Sequence, residues 1–166
     1  MAKYLFPGVG GLDTENLESE YNGAINFYGR EIRIDLNFEA FQIGVDKLDS
    51  AKAILINIED MDKKNKQYME ADYLDIHKDT VKSYLEHHLK EIDHKDLSDL
   101  INFEENAMSN EEQLIKELKL VRVGLYPENE DQFAVFDYTI GEELTQYLIV
   151  VNLEKDGQLE SLSMES

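Results

Sequence analysis

VRVGLYPENEDQFAVFDYTIGEELTQYLIVVNLEKDGQLESLSMES, residues 121–166, carries the densest strand pattern in the chain. It predicts three or four antiparallel strands joined by short turns. The segment 147–153 is an apolar run broken only at Asn152, a pattern that suits an inner strand covered on both faces. The turn after it sets the register. A two-residue loop at Asp156 and Gly157 would oppose Leu153 to Glu160. A three-residue loop, Lys155 and Asp156 followed by a left-handed Gly157, opposes Glu154 to Gln158 and Leu153 to Leu159. It then sets Val150 against Leu162 and Leu148 against Met164, and it is preferred because like meets like. Upstream, 133–140 is rich in aromatic and β-branched residues and reads as a strand. The turn at Tyr126, Pro127, Glu128, Asn129 and Glu130 links it to another strand at 121–125, giving a meander.

Outside this block the chain starts with strands and continues with helices. Residues 4–9 form a short strand candidate that ends in Gly8, Gly10 and Gly11. Those glycines do not make a phosphate loop. Asp13 stands where a dinucleotide fingerprint needs its third glycine, no Gly-Lys-Ser/Thr follows, and Glu15, Glu18 and Glu20 would repel phosphate. A hairpin comes next. With Gly29 and Arg30 as a type II′ turn, Phe27 opposes Ile32, Ile25 opposes Ile34, Asn26 meets Arg33 and Ala24 meets Asp35, so one face is apolar and the other wet.

From Val45 the period changes to that of a helix. Val45, Leu48, Ala51, Ile54, Leu55, Ile58 and Met61 form its stripe. Glu59 with Lys63, Asp60 with Lys64 and Asp62 with Lys66 are spaced for pairing, which predicts that the helix runs on to about Met69 with a solvated outer end. A calcium loop built on Asp60 and Asp62 fails, since Lys64 sits at a ligand position, Asn65 replaces the glycine and Ala71 the closing glutamate. A second helix is predicted behind Asp79 as N-cap, with Val81, Leu85, Leu89 and Ile92 buried. Residues 96–103 add a short helical segment. Ser109 and Glu112 then stand in capping-box spacing ahead of a third helix bearing Leu114, Ile115 and Leu118.

Runs of strands, then helices, then strands point to the α+β class. The economical arrangement is one mostly antiparallel sheet, shared by the N- and C-terminal strands, with the central helical segment packed on one face. Residues 1–166 read as a single domain, with no repeat or Pro/Gly/Ser linker to divide them. There are no cysteines, so disulfides and thiolate chemistry are excluded. The opening residues 1–11 lack a long apolar run, and nothing approaches the roughly 20 apolar residues that span a bilayer, so a soluble, cytoplasmic protein is expected. With 36 acidic against 16 basic residues the formal charge is -20. That sign opposes binding to nucleic acid or anionic membrane; its plain reading is a surface that keeps the protein soluble, and its sharper reading is a basic protein as partner.

The runs VGLYPE at 123–128, FDYTIG at 136–141 and YLIVVNLEKDG from Tyr147, with the terminal MES and the segment around Tyr84, resemble an uncharacterised family of small acidic bacterial proteins known as a domain of unknown function. The resemblance touches about half the chain and carries no catalytic residues. By analogy of size and acidity it implies an immunity-type protein.

Chemistry-bearing signals are few. Asp137 lies in a strand of otherwise apolar and aromatic residues, where burial would raise its pKa as a general base requires; the alternative is a hydrogen-bonded structural Asp. His88, Tyr126 and Tyr138 are the other candidates. His87 or His88 with Glu91 offers a helical metal pair but no HExxH, so the histidines read as surface or core-edge residues. No metal or cofactor is expected. The function expected is therefore a non-enzymatic protein-binding module that masks a basic partner, and the analogy of size and acidity makes it one of immunity type. The alternative is a small-molecule or metal-dependent enzyme in which Asp137, His88 and the tyrosines converge between sheet and helices.

Overall fold

Two strands that run parallel side by side cannot be joined by a hairpin, and one such pair organises this chain. In the computed structural model, which describes residues 3–166, an opening ribbon pairs β1 (Lys3–Phe6) with β2 (Gly10–Asp13). The hairpin β3 (Glu20–Phe27) and β4 (Arg30–Asn37) follows. The helical insertion is α1 (Val45–Ile56), α2 (Ile58–Leu74), α3 (Thr80–Glu91), α4 (His94–Leu97) and α5 (Asn110–Ile115). The meander β5 (Lys119–Leu125), β6 (Ala134–Thr139), β7 (Leu148–Leu153) and β8 (Leu159–Glu165) closes the chain.

The six strands β3 to β8 make one sheet in chain order. Every neighbouring pair is antiparallel except β4 with β5, where Ile34 opposes Val123 in parallel register. That pair needs a crossover, and the whole helical insertion is the crossover. A single crossover lies on one face of its sheet. Leu48, Ala51, Ile54, Met69, Val81 and Leu85 accordingly share one core cluster with Ile34, Val123, Phe136 and Val151. The α+β arrangement with helices on one face is therefore present. The ribbon β1–β2 stays out of the sheet as a separate two-stranded element. Its Phe6 and Leu12 join the core, and its Gly8 carbonyl accepts a hydrogen bond from the Ala24 N–H at 3.1 Å, so it sits against the β3 edge.

Several expectations shift in detail, each for a local reason. The hairpin turns at Tyr28 and Gly29, one residue earlier than the spacing suggests. Phe27 opposes Arg30, and Ile25 opposes Ile32. The apolar residues keep their face because the register moves by two. At the last turn Leu153 opposes Leu159 as expected, with Gly157 at φ 85 and the Glu154 N–H donating to Gln158 O at 2.8 Å. A bulge at Glu160 then moves the pairing to Val151 with Leu162 and Ile149 with Met164. Leu159 and Leu162 are three apart, so an unbroken strand would put them on opposite faces. The extra residue turns both toward the helices. The long helix is divided at Asn57 (φ -101, ψ 25), whose side chain donates to Ala53 O at 2.9 Å, and its second part runs to Leu74. Segment 147–153 does have a strand on each side. Only its Ile149, Val151 and Leu153 face meets the helices, however, and Val150 and Asn152 lie on the other.

Gly23 marks the place where ribbon and sheet touch, since a methyl group there would overlap the Gly8 carbonyl, a backbone atom with no room to yield. Gly23→Ala is expected to destabilise the fold by about 1–3 kcal/mol in denaturant titration, the usual cost of forcing volume into a closed contact.

Candidate functional site

The period-two alternation that buries Ile34, Val123 and Phe136 turns Asp35, Arg122 and Asp137 to the opposite face of three adjacent strands. There they form one ion cluster. Arg122 Nε and Nη2 donate to Asp35 Oδ1 and Oδ2 at 2.6 and 2.9 Å, a two-pronged pair across β4–β5. Its Nη1 donates to Asp137 Oδ2 at 3.1 Å across β5–β6. Asn37 Nδ2 adds a bond to Asp35 Oδ2 at 2.7 Å. Gly124 leaves the guanidinium its path, because a Cβ there would come within 2.7 Å of Nη2 and 3.1 Å of Asp35 Oδ2.

One cation shared by two carboxylates leaves a net negative charge in a place where the aspartates are only 6% and 5% exposed. Asp35 holds the stronger, two-pronged pair, so the excess falls on Asp137. Burial pushes the Asp137 carboxyl above its ordinary value, the Arg122 charge and hydrogen bond and, least, the Arg33 charge pull it back only in part, and the Asp35 charge adds to the rise. Burial works to lower the Arg122 pKa, but the Asp35 hydrogen bonds and the two carboxylate charges hold it above its usual value. The guanidinium stays charged throughout.

Asp137 and Tyr138 are neighbours in β6 and so point to opposite faces. Tyr138 is fully buried under α2, where its hydroxyl donates to Asp62 Oδ1 at 2.7 Å and accepts from Asn65 Nδ2 at 3.3 Å. Burial, the Asp62 charge and that hydrogen bond all raise its pKa. Asp62 and Asn65 are thus inside the protein, contrary to the solvated helix end that the charge spacing predicts. Of the three i,i+4 pairs only Asp62 with Lys66 closes, at 3.2 Å, among the described residues. Lys64 lies 5.8 Å from the Tyr68 ring centre instead.

His88 is 1% exposed, a core residue rather than one at the surface. Its Nδ1 lies 2.6 Å from the Tyr84 carbonyl, which can only accept, so Nδ1 carries the proton. Nε2 then accepts from Thr145 Oγ1 at 2.8 Å, and Thr145 Oγ1 in turn accepts the Tyr147 N–H. Burial and the neighbouring His87 lower the His88 pKa, though its bond to the Tyr84 carbonyl opposes them, and the ring is neutral. Tyr126 is half-buried at the β5–β6 turn, with its N–H bonded to Phe133 O at 2.9 Å. The four candidates therefore do not converge. Asp137 is on the outer sheet face, Tyr138 and His88 serve separate helix contacts, and Tyr126 holds a turn.

Among the described residues no group of three or more His, Asp or Glu side chains could hold a metal ion, and no helix is long and apolar enough to cross a membrane. A cleft of about 670 Å³ opens instead between α2 and the segment 108–118, lined by Met69, Tyr73, Leu74, Met108, Ile115 and Leu118 together with the charged Lys66, Glu70, Glu112 and Lys116. None of the four candidates lines it. No family model, curated relative or solved structure matches the chain.

Reading the alternation could have put Asp35, Arg122 and Asp137 on wet faces, but only the β4–β5 pairing brings Asp35 to Arg122. Replacing Arg122 by Leu leaves two buried carboxylates facing each other and is expected to cost about 3–5 kcal/mol in chemical denaturation at neutral pH. Asp137→Asn, which removes the excess charge and keeps an acceptor, is expected to be near neutral by the same measure.

The pH profile should follow from the two shifted groups. His88 has a folded pKa below its ordinary 6.5, so the stability it contributes is complete above that value and lost as pH falls through and below it. Asp137 acts in the other sense. Its folded pKa lies above 3.8, so its contribution is complete below that value and is lost as pH rises through the folded pKa. A stability–pH curve in which His88→Gln leaves the slope just below 6.5 unchanged would contradict the first assignment.

Proposed function

We propose that the chain is a non-enzymatic protein-binding module whose partner presents a basic surface, in the manner of an immunity-type protein that masks its target. The observation that carries this reading is the fate of the three arginines. Arg122 is held by Asp35 and Asp137, Arg33 by Glu142 at 3.2 Å, and Arg30 donates to the Leu120 carbonyl at 3.1 Å. Each arginine thus has a partner within the chain, partly buried for Arg122 and at the surface for Arg33, while 36 acids set the sign of the surface.

The groups whose acid–base properties are shifted are also engaged. Asp137 through Oδ2, His88 through both ring nitrogens and Tyr138 through its hydroxyl are bonded to internal partners, and the three do not face a common space. An opposite field speeds encounter with a basic protein and orients it, and salt screens that attraction.

Crosslinking in the native cell, followed by identification of the captured protein and titration of the purified pair, tests the reading. The expected partner is basic, and its affinity should fall by about tenfold or more between low and physiological-to-high ionic strength. An acidic partner, or affinity indifferent to salt, would overturn it.

The cleft beside α2 favours a second reading, binding of a small apolar molecule. Its volume lies within the roughly 300–1,000 Å³ typical of such sites, and methionine and aliphatic side chains supply an adaptable part of the lining, with Lys66, Glu70, Glu112 and Lys116 charged around them. An apolar fluorescent probe that lights up with the native chain and not with Leu74→Asp would support that use.

A further inference from the structure

The tip of the β3–β4 hairpin carries an unusual residue for its backbone. Tyr28 has φ 52 and Gly29 has φ 78, the signature of a type I′ turn, whose first position ordinarily goes to Asn, Asp or Gly. Tyr28 is the one non-glycine residue with positive φ among those described. A bulky side chain there is strained, and strain of this kind is retained where the surroundings or a function demand it. The fold does not use the ring as core. Tyr28 is 65% exposed and rests on buried Phe27 with ring centres 4.5 Å apart. Nothing lies within 4 Å of a Cβ built on Gly29, so that residue faces open space.

Across a cleft of about 270 Å³ from Tyr28 lies the break between α1 and α2, where Ile56, also 65% exposed, precedes Asn57. Glu59 and Asp60 complete the rim. Neither acid is within 4.0 Å of a basic group among the described residues. Arg30, the nearest arginine in sequence, is turned away toward β5.

We infer that this tip and helix break form the docking site for the basic partner, taking a segment in which an arginine or lysine stands beside an apolar side chain. The cation meets the Tyr28 ring face and the Glu59 and Asp60 carboxylates, and the apolar neighbour covers Ile56. Exposed tyrosine flanked by unpaired acids is complementary to that chemistry and to no anionic ligand. The inference rests on the basic-partner reading and adds its location.

The test uses the full chain and a blocked peptide of alternating arginine and leucine, with a glutamate-for-arginine analogue as control, followed by amide chemical shifts. The expected shifts centre on Tyr28, Ile56, Asn57, Glu59 and Asp60, and the affinity should fall by about tenfold in Tyr28→Asn and in Ile56→Ser. Ile76→Ser, a change at another exposed apolar residue, should leave the affinity unchanged. Tyr28→Asn supplies the residue that the turn prefers, so its melting temperature should equal or exceed that of the parent. A lower melting temperature would mean that the ring is a structural element, and it would overturn the inference. Shifts centred on another acidic region would overturn the location and leave the basic-partner reading standing. Equal binding of the arginine and glutamate peptides would sink both.

Discussion

The parallel junction between β4 and β5 holds the two halves of the sheet together. It unites two antiparallel blocks that lie some eighty residues apart in the chain, and it has no turn of its own to hold its register. Burial of Ile34, Leu36, Val123 and Leu125 against the helices supplies most of the adhesion on one face. On the other face Arg122 reaches Asp35 across the junction and Asp137 on the far side, tying three strands with one side chain. Gly124 is what allows the reach. Ion pairs of this kind add little net stability, but a slipped register would leave their charges buried without partners, so they discriminate strongly against the wrong pairing.

The same economy runs through the helical layer. Asp62 and Asn65 enter the interior because Tyr138, projecting from the sheet centre, brings a hydroxyl that needs partners there. Asp72, also buried, accepts the Val81 N–H at 2.9 Å and so caps α3 from the preceding helix, a task that Asp79 leaves undone. His88 and Thr145 anchor the loop after β6 to α3. Asn65 Oδ1 is the one buried side-chain polar atom without a partner among the described residues. Polar groups that look like chemistry in the sequence are here hydrogen-bonded between elements of the fold.

Local rules were enough wherever a feature depends on near neighbours. The Ser109–Glu112 capping box forms as its spacing requires, with Glu112 N–H on Ser109 Oγ at 3.1 Å, and Gly157 takes the left-handed turn that sets Leu153 against Leu159. The hairpin existed in the pattern as well. Its turn was misplaced by one residue because propensity argues against a tyrosine at positive φ, and that conflict is the feature that draws attention to the tip. The Glu160 bulge was implicit in the odd spacing of Leu159 and Leu162, once both are required on a single face.

By itself the sequence determined the class of fold, the strand–helix–strand order, the helical face of the sheet, the acidic sign of the surface and the absence of thiol chemistry, because composition and periodicity act over a few residues at a time. Tertiary structure alone decided that Asp35 meets Arg122, that Asp62 is inside while Glu59 and Asp60 are outside, and that Asp137 and Tyr138 part to opposite faces of an assembled sheet. It also brought Tyr28 beside Ile56. Those outcomes turn on which distant segments become neighbours, and that is set by one parallel pairing whose partners share no local signal.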